Sequence, residues 1–330
     1  MYKKKWIEWL WEAWCIFSIV GIWPRFIEPK ILSITRLSLP IPFLPPILNG
    51  FKILQFSDLH WHSNFSKKQK NKIIKKINRL KPDIIVFTGD FICRSKLEDG
   101  EGLKKLLNSL EAPAGCFAVL GNHDYDQFVT VNDTGDYDLE KSSSSSDIVK
   151  GFKRLFSRLP LTGKVSKNAQ MSGWHPELIK LLNETHFQLL ANETKQITFN
   201  GATINICGLE EYSLGKADLP KVFNNYDSGK IGIVLCHNPD MLKKLSVYPG
   251  DLILSGHTHG GQVNLPFLWK KFTKIENLQF KRGLKKIGSK WAYINRGLGG
   301  IMDFRWFSRP ELTLITLEPE KSLERKKDGP

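Results

Sequence analysis

The chain has 330 residues, enough for one large domain or two ordinary ones. A hydrophobic fraction of 41% excludes a disordered or fibrous protein, because such chains lack the apolar residues needed for a packed core. Lys and Arg (48) outnumber Asp and Glu (33), and the net charge of +15 favours polyanionic partners such as nucleic acid, acidic lipid headgroups or phosphorylated substrates. The five cysteines are scattered without a C-x-x-C pair, which argues against a disulfide framework and favours a reducing compartment.

Residues 1–26 form a tryptophan-rich segment. Five of the ten tryptophans lie in the first 23 residues, after three consecutive lysines. The uncharged stretch from Ala13 to Trp23 has 11 residues, shorter than the roughly 20 that a membrane-spanning helix needs. Glu8 and Glu12 share one helical face, while apolar residues follow helical spacing on another: Trp6, Trp9, Leu10, Ala13, Trp14 and Phe17. The pattern favours an amphipathic helix lying on a membrane surface over the two alternatives, a membrane span and a core helix.

Strands and helices alternate in the next part of the chain. Residues 31–48, rich in Pro and Leu, predict an extended segment or an edge strand. Apolar runs then predict strands at 51–56, 83–88 and 115–120, with helices over 67–80 and 103–110 between them. This alternation predicts a parallel sheet, and such sheets keep their sites at the carboxyl ends of the strands.

The pattern breaks between residues 125 and 172. A serine run at 142–146 precedes a basic amphipathic stretch at 148–161. This insertion predicts either an exposed loop with a surface helix or a lid that meets a membrane or an amphiphilic substrate. Strands resume at 202–208, 231–236, 251–255, 291–295 and 311–317, with a second basic stretch at 270–290, and the charged tail 318–330 is expected to fray.

Eight polar side chains follow the ends of the apolar strands. Carboxylates, imidazoles and an amide together suit Mn²⁺, Fe or Zn²⁺ and are poor ligands for Ca²⁺, which prefers oxygen atoms alone. They are numerous enough for two ions sharing a bridging carboxylate, and such a pair, about 3.5–4 Å apart, can clamp a phosphoryl group. The eight are Asp58, His60, Asp90, Asn122, His123, His237, His257 and His259.

These residues lie in five short blocks whose order resembles that of the calcineurin-like metallophosphoesterases. The blocks are Asp-Leu-His at 58–60, Gly-Asp at 89–90, Gly-Asn-His-Asp at 121–124, His237 and Gly-His-Thr-His at 256–259. A membrane-associated branch of that family is the most similar, through Gly-His-Thr-His-Gly-Gly-Gln at 256–262 and the block at 295–299 with Arg309-Pro310-Glu311. The resemblance implies an α/β sandwich of two mixed sheets flanked by helices over residues 27–317, with a membrane-associated helix in front.

The resemblance also implies a role for each site residue. Asp58, His60 and His259 would hold the first metal ion, Asn122, His237 and His257 the second, and Asp90 would bridge the two. His123 would act as a general acid or stabilise phosphoryl charge, with Asp124 orienting its ring, and Asn122 would also contact substrate. The expected metal is Mn²⁺, with Fe or Zn²⁺ as alternatives.

Two positions depart from the family pattern. His62 stands where the family often has Gly, and Cys93 replaces an Asp commonly found three residues after the bridging carboxylate. Neither position is expected to be a metal ligand, so the metal site is retained. The departures leave undecided which residues contact the substrate beside the first metal, and His62 is a candidate phosphate contact.

The expected substrate is an anionic, phosphate-bearing amphiphile taken at a membrane surface. The resemblance implies hydrolysis of the pyrophosphate of UDP-2,3-diacylglucosamine to 2,3-diacylglucosamine 1-phosphate (lipid X) and UMP, a step of lipid A biosynthesis. The enzyme would work on the cytoplasmic face of the inner membrane, peripherally bound or anchored by its N-terminus. The acyl chains would lie under the insertion, where Phe152, Leu155 and Phe156 are candidates to line their path.

Two alternatives remain open. The first is a less specific membrane-associated phosphodiesterase or phosphatase of the same family. The second is a basic nucleic-acid enzyme, which is disfavoured because the basic residues are not interleaved with an exposed aromatic platform. Neither a nucleic-acid partner nor an obligate protein partner is therefore expected.

Overall fold

The computed structural model describes residues 2–63, 65–140, 161–266 and 269–320. Within these ranges the strands form two six-stranded sheets and one small hairpin. The strands are β1 Ser33–Ile41, β2 Lys52–Phe56, β3 Ile84–Thr88, β4 Cys116–Val119, β5 Val129–Val131, β6 Tyr137–Leu139, β7 Phe187–Leu189, β8 Glu193–Phe199, β9 Ala202–Gly208, β10 Ile231–Leu235, β11 Leu252–Ser255, β12 Gly283–Ile287, β13 Lys290–Ile294 and β14 Glu311–Pro319.

The first sheet has the order β1-β14-β2-β3-β4-β7. β2, β3, β4 and β7 run parallel, whereas β14 is antiparallel to β2 and parallel to β1. The sheet is therefore mixed. β1 lies at the edge of this sheet and contains Pro40, which confirms the predicted edge strand. Proline has no backbone N–H to donate to a neighbouring strand, so it is tolerated mainly at sheet edges.

The second sheet has the order β12-β13-β11-β10-β9-β8. Its four central strands are parallel, and β12 and β8 pair antiparallel at the two edges. One apolar cluster joins the inner faces of the two sheets, including Ile53 and Val86 of the first sheet and Ile206 and Ile233 of the second. The predicted sandwich of two mixed sheets is confirmed.

Helices cover the outer faces of both sheets, apart from the exposed N-terminal helix α1. The helices are α1 Tyr2–Phe17, α2 Lys67–Leu80, α3 Gly100–Asn108, α4 Lys167–Met171, α5 Pro176–Leu182, α6 Leu219–Phe223, α7 Leu242–Leu245 and α8 Trp269–Phe272. α2 has the predicted bounds because Ser66 and Gln69 form a capping box at its start and Lys81 ends it in the left-handed conformation before Pro82. α3 starts three residues earlier than predicted, because the Asp99 side chain accepts the Gly102 N–H and caps it.

The eight strands predicted from apolar runs are present, with ends shifted by no more than two residues, whereas the predicted extended segment 31–48 forms a strand only over Ser33–Ile41. Both sheets direct the carboxyl ends of their central strands to the same edge of the sandwich, where the polar blocks follow β2, β3, β4, β10 and β11. Part of the predicted basic stretch 270–290 is the edge strand β12. The basic amphipathic stretch 148–161 and the serine run lie outside the described residues, except for Leu161, and so do Phe152, Leu155 and Phe156.

The N-terminal segment is one exposed helical stretch. After α1 the chain continues as a π-type helix over Ser18–Ile27. Residues Lys5–Lys30 are together long and apolar enough to cross a membrane, and 6% of the most apolar part of this stretch is buried. Trp6, Trp9 and Trp11 are each about two-thirds exposed, so the helix does not lie in the protein core.

Candidate metal centre

Two clusters of metal-binding side chains lie side by side at this edge of the sandwich. In the first, ligand atoms of Asp58, His60 and His259 lie within 4.8 Å of one another. The Nε2 atoms of His60 and His259 are 3.0 Å apart, and Asp58 Oδ1 is 3.5 Å from His259 Nε2. The structure thus brings together the three residues expected to hold the first metal.

The second cluster contains Asp90, His237 and His257, again with ligand atoms within 4.8 Å of one another. His257 Nδ1 is 3.2 Å from His237 Nε2 and 3.0 Å from Asn122 Oδ1. Asn122 therefore joins this group through its carbonyl oxygen. All the residues expected at the second metal are present.

Asp90 lies between the two clusters. Its Oδ2 atom is 3.2 Å from His237 Nε2 in the second cluster and 3.5 Å from His60 Nε2 in the first. Its other oxygen, Oδ1, accepts the His123 backbone N–H at 3.0 Å. This placement suits a carboxylate that bridges two ions.

Backbone groups orient two of the ligands. His237 donates its Nδ1 proton to the Thr88 carbonyl at 2.7 Å, which leaves Nε2 free for a metal. Asn122 donates its amide N–H to the Val129 carbonyl at 2.8 Å, which turns Oδ1 toward His257. Each side chain thus presents its lone pair to the centre.

The electrostatics of the pocket also suit cations. Burial lowers the pKa of His60 to about 4 and that of His257 to about 3, so both rings are neutral ligands at pH 7. Burial raises the pKa of Asp58 to about 7, and its buried Oδ1 atom accepts no hydrogen bond from the described residues. Burial opposes the ionisation of Asp90, but attraction to His237 outweighs it and holds the pKa of Asp90 well below its usual range. Despite burial, Asp90 in turn holds the pKa of His237 well above its usual value, so a metal ion at Nε2 of His237 would displace a proton. Oxygen and imidazole donors with an unsatisfied carboxylate fit divalent metal ions.

Strained backbone accompanies five of the candidate ligands. Each has a positive φ, between 44° and 68°, in the left-handed region that residues other than glycine avoid at a cost of about 1 kcal/mol or more. The five are Asp58, His60, Asp90, His257 and His259. Strain of this kind persists only where the surrounding packing holds it, and it is typical of functional sites.

His123 lies beside the bridging carboxylate. Its Nε2 atom is 3.9 Å from Asp90 Oδ2, and its Nδ1 atom accepts the Arg94 backbone N–H at 2.8 Å. That hydrogen bond assigns the proton of the neutral ring to Nε2, on the side of the clusters. Burial lowers the pKa of His123 well below its usual value, so the metal-free protein carries the neutral form. The ring can donate a hydrogen bond into the site.

The expectation that Asp124 orients the His123 ring is wrong. The Asp124 carboxylate accepts the backbone N–H groups of Asp90 (2.8 Å), Ile92 (3.0 Å) and Gly121 (2.9 Å). A buried carboxylate reaches these amides because the ends of β3 and β4 turn sharply around it. Asp124 therefore holds the loop that carries the bridging Asp90.

The two residues that depart from the family pattern, Cys93 and His62, have different surroundings. A ligand atom of Cys93 lies within 4.8 Å of ligand atoms of His60 and His123. The His62 ring packs on Phe65, and its Nε2 atom is 4.0 Å from an oxygen of the exposed Asp303 side chain. Cys93 thus forms a further candidate ligand group with His60 and His123, although it was not expected to bind metal, whereas the contacts of His62 are with Phe65 and Asp303.

Sequence reasoning missed Arg305, which is 2% exposed and lies behind the first cluster. Its Nη2 atom is 3.4 Å from His259 Nδ1, and its Nη1 atom donates to the carbonyls of Arg296 and Ser308. The block 295–299 also packs here, since Gly299 donates its N–H to the Asp58 carbonyl at 2.7 Å. The block was singled out by resemblance, but nothing in the sequence pattern marks Arg305.

Two adjacent groups of candidate metal ligands at the carboxyl ends of the strands are typical of an enzyme with a two-metal centre. The family model for calcineurin-like phosphoesterases matches residues 51–261, so the chain belongs to that family. The resemblance drawn from the five sequence blocks is confirmed, and the protein is a metallophosphoesterase, a class of hydrolase with a two-metal centre.

Its relatives are similar along almost their whole length. The chain is 38% identical to the UDP-2,3-diacylglucosamine pyrophosphatase LpxG of Chlamydia trachomatis over 90% of this chain and 92% of that protein. It is 37% identical to the protein of the same name in Chlamydia muridarum, with the same coverage. A Bacillus subtilis metallophosphoesterase, YkuE, is 29% identical over 89% of this chain and 88% of that protein.

Proposed function

We propose that the protein hydrolyses the pyrophosphate of UDP-2,3-diacylglucosamine to 2,3-diacylglucosamine 1-phosphate and UMP. The observation that carries the proposal is the 38% and 37% identity to two relatives named for this activity, over nine-tenths of both chains. The two-cluster centre supplies the matching chemistry, because cleavage of a phosphoanhydride requires neutralisation of phosphate charge.

Two divalent cations bound by the clusters would polarise the phosphoryl oxygens as Lewis acids. Asp58, His60 and His259 would hold one cation, and Asn122, His237 and His257 the other, with Asp90 shared. We propose Mn²⁺ as the metal because the ligand set mixes imidazole nitrogen with carboxylate and amide oxygen, and Fe and Zn²⁺ are the alternatives.

His123 would donate a hydrogen bond from Nε2 to the oxygen on which charge develops as the P–O bond breaks. Its tautomer supports this role, because the Arg94 N–H occupies the opposite ring nitrogen. An anionic phosphate next to the ring would raise the pKa of His123, so that the same atom can deliver a proton to the leaving oxygen. Asn122 and His62 would contact the substrate phosphates.

The proposed location is the cytoplasmic face of the inner membrane. The exposed, tryptophan-rich helix within residues 1–26 would hold the catalytic domain, residues 27–317, at the lipid surface, with 318–330 as a tail. The absence of paired cysteines among the described residues supports a reducing compartment. The insertion 125–172 would act as the lid over the acyl chains.

The test uses full-length protein purified in detergent and loaded with Mn²⁺. We expect UMP and lipid X from UDP-2,3-diacylglucosamine, and loss of both products in His123→Ala. Turnover of a simple aryl phosphodiester without turnover of the lipid substrate would retain the two-metal centre and replace the proposed substrate by a less specific phosphodiesterase activity.

A further inference from the structure

The end of the N-terminal helix is built into the wall of the first metal cluster. Glu28 is 2% exposed although it directly follows the exposed helical stretch. Its carboxylate accepts the indole N–H of Trp23 at 3.0 Å and the backbone N–H groups of Phe307 (3.0 Å) and Ser308 (2.6 Å). These contacts fasten the helix end to a loop at residues 299–309.

The loop is also tied to the metal ligands. Ser308 donates its hydroxyl proton to the carbonyl of His259 at 2.6 Å. The Arg305 N–H donates to the Pro24 carbonyl at 2.8 Å, while the Arg305 side chain reaches His259. The helix end, the loop and the metal ligand therefore form one hydrogen-bonded unit.

This unit presents an aromatic side chain to solvent. Phe307 is 56% exposed and has a φ of 55°, which is strained for a phenylalanine. Its carbonyl accepts hydrogen bonds from Asn264 Nδ2 (3.2 Å) and Arg282 Nη1 (3.1 Å), while Glu28 holds its N–H. The ring stacks on Trp306, with 6.2 Å between the ring centroids. Polar contacts on both sides, one of them to the buried Glu28, thus hold a strained backbone that leaves more than half of the Phe307 side chain exposed to solvent.

Neighbouring residues extend this apolar surface toward the helix. Phe26 is 57% and Ile27 40% exposed, immediately before the Glu28 clamp. Arg25 is half-exposed and pairs with the exposed Asp303, with 3.9 Å between Nη1 and Oδ2. Arg309, also exposed, follows on the loop. An apolar patch with a basic rim, continuous with a helix suited to a lipid environment, matches the surface of an anionic bilayer.

We propose that Phe26, Ile27 and Phe307 form a membrane-contact patch that holds the first metal cluster close to the bilayer surface. The patch belongs to the catalytic domain as well as to the anchor, because Phe307 lies next to Ser308, which contacts the metal ligand His259. It fixes the orientation of the site, so a phosphate at headgroup level faces the clusters. The inference depends on a lipid surface and does not depend on which phosphoester is cleaved.

The test places an environment-sensitive dye on a cysteine at position 307 of the full chain. Phe307→Cys is made in a Cys15→Ser background. The Cys15→Ser protein without a new cysteine is labelled in the same way, and its signal, from the remaining cysteines, is subtracted. Phe43→Cys is the matched control, since Phe43 is fully exposed, also has a positive φ (53°) and follows the opposite end of β1. Asp303→Cys supplies a second position on the loop.

The labelled proteins are reconstituted in phosphatidylethanolamine–phosphatidylglycerol vesicles that contain a doxyl-labelled lipid. We expect about twofold quenching at positions 307 and 303 with a shallow doxyl group, as for a side chain about 5–10 Å into the interface, and none at position 43. Equal quenching at 43 and 307 would overturn the proposal. A dye at position 307 that is already shielded from water in detergent and is not quenched in vesicles would indicate contact with a second copy of the chain. That result would also overturn the proposal.

Discussion

Gly121 packs tightly against Asp90, the carboxylate proposed to bridge the two metals, so a substitution at Gly121 should displace Asp90. A Cβ added at this position would lie 2.2 Å from Asp90 Oδ1 and 2.6 Å from Asp90 N. Carbon makes ordinary contacts at about 3.5 Å, so Gly121→Ala would require Asp90 to move by about 1 Å. The Asp90 backbone cannot easily retreat, because its N–H and that of Gly121 are held by the same carboxylate, Asp124.

The displacement acts on both clusters at once. Asp90 Oδ2 lies 3.2 Å and 3.5 Å from the two imidazole nitrogens with which it would share the metals. A misplacement of about 1 Å at a reacting centre costs roughly 100-fold in rate, or about 2.7 kcal/mol of transition-state stabilisation. We therefore expect kcat for an aryl phosphodiester to fall by about two orders of magnitude, together with weaker binding of Mn²⁺.

Gly173→Ala is the matched control. Its added Cβ would meet its nearest neighbour, an Asp126 oxygen, at 3.5 Å, which is ordinary contact. Metal content by plasma mass spectrometry, kcat and thermal unfolding are compared for both variants and the wild type. Two Mn²⁺ per chain and near wild-type kcat in Gly121→Ala would refute the reasoning that Asp90 bridges the ions.

Three further changes probe individual groups. His123→Gln should keep both metals and lower kcat by about 10²–10⁴-fold, because it loses the proton donor; unchanged kcat would exclude that role. Asp58→Asn should retain one metal per chain, because the amide removes a negative ligand from the first cluster; metal analysis showing two would contradict the assignment. Burial raises the pKa of Asp240 from 3.8 to about 6, so the folded protein keeps a proton that the unfolded chain releases. The unfolding free energy of the wild type relative to Asp240→Asn should therefore fall by about 3 kcal/mol in total as the pH rises from about 3 to about 7, and a flat difference in denaturant titrations would rule this out.

The central strands and the clustering of polar side chains at their ends could be predicted together because burial produces both signals. β2, β3, β4, β10 and β11 are buried on both faces, so their sequences are mostly apolar runs, with Gln55 the one polar residue inside β2. A polar residue immediately after such a run lies at the carboxyl edge of the sheet, where neighbouring parallel strands also end. Five such runs therefore place their polar residues at one edge, even though the sequence does not show which sheet each strand joins.

Two edge strands of the second sheet, β8 and β12, carry no such signal. β8 alternates exposed and half-buried residues, and β12 lies in a lysine-rich stretch whose side chains are half-buried or exposed. One face of an edge strand contacts solvent, and its pairing is decided by a neighbour that is distant in the chain or joined by a tight turn. The composition of residues 270–290 predicts only a basic stretch, and the strand within them forms because β13 offers a free edge.

The groups that orient the ligands were not predictable for a different reason. The partners of His237, Asn122 and His123 are the Thr88 carbonyl, the Val129 carbonyl and the Arg94 N–H, and every residue type carries these backbone groups. Asp124 shows the consequence, since its position next to His123 suggested a side-chain pair, whereas the turn directs its carboxylate to three amides. Side-chain identity thus specifies which atoms can bind metal, and the backbone path after each strand decides how those atoms are aimed. Substitutions that alter this path, such as Gly121→Ala, should therefore disturb the centre as strongly as the loss of a ligand.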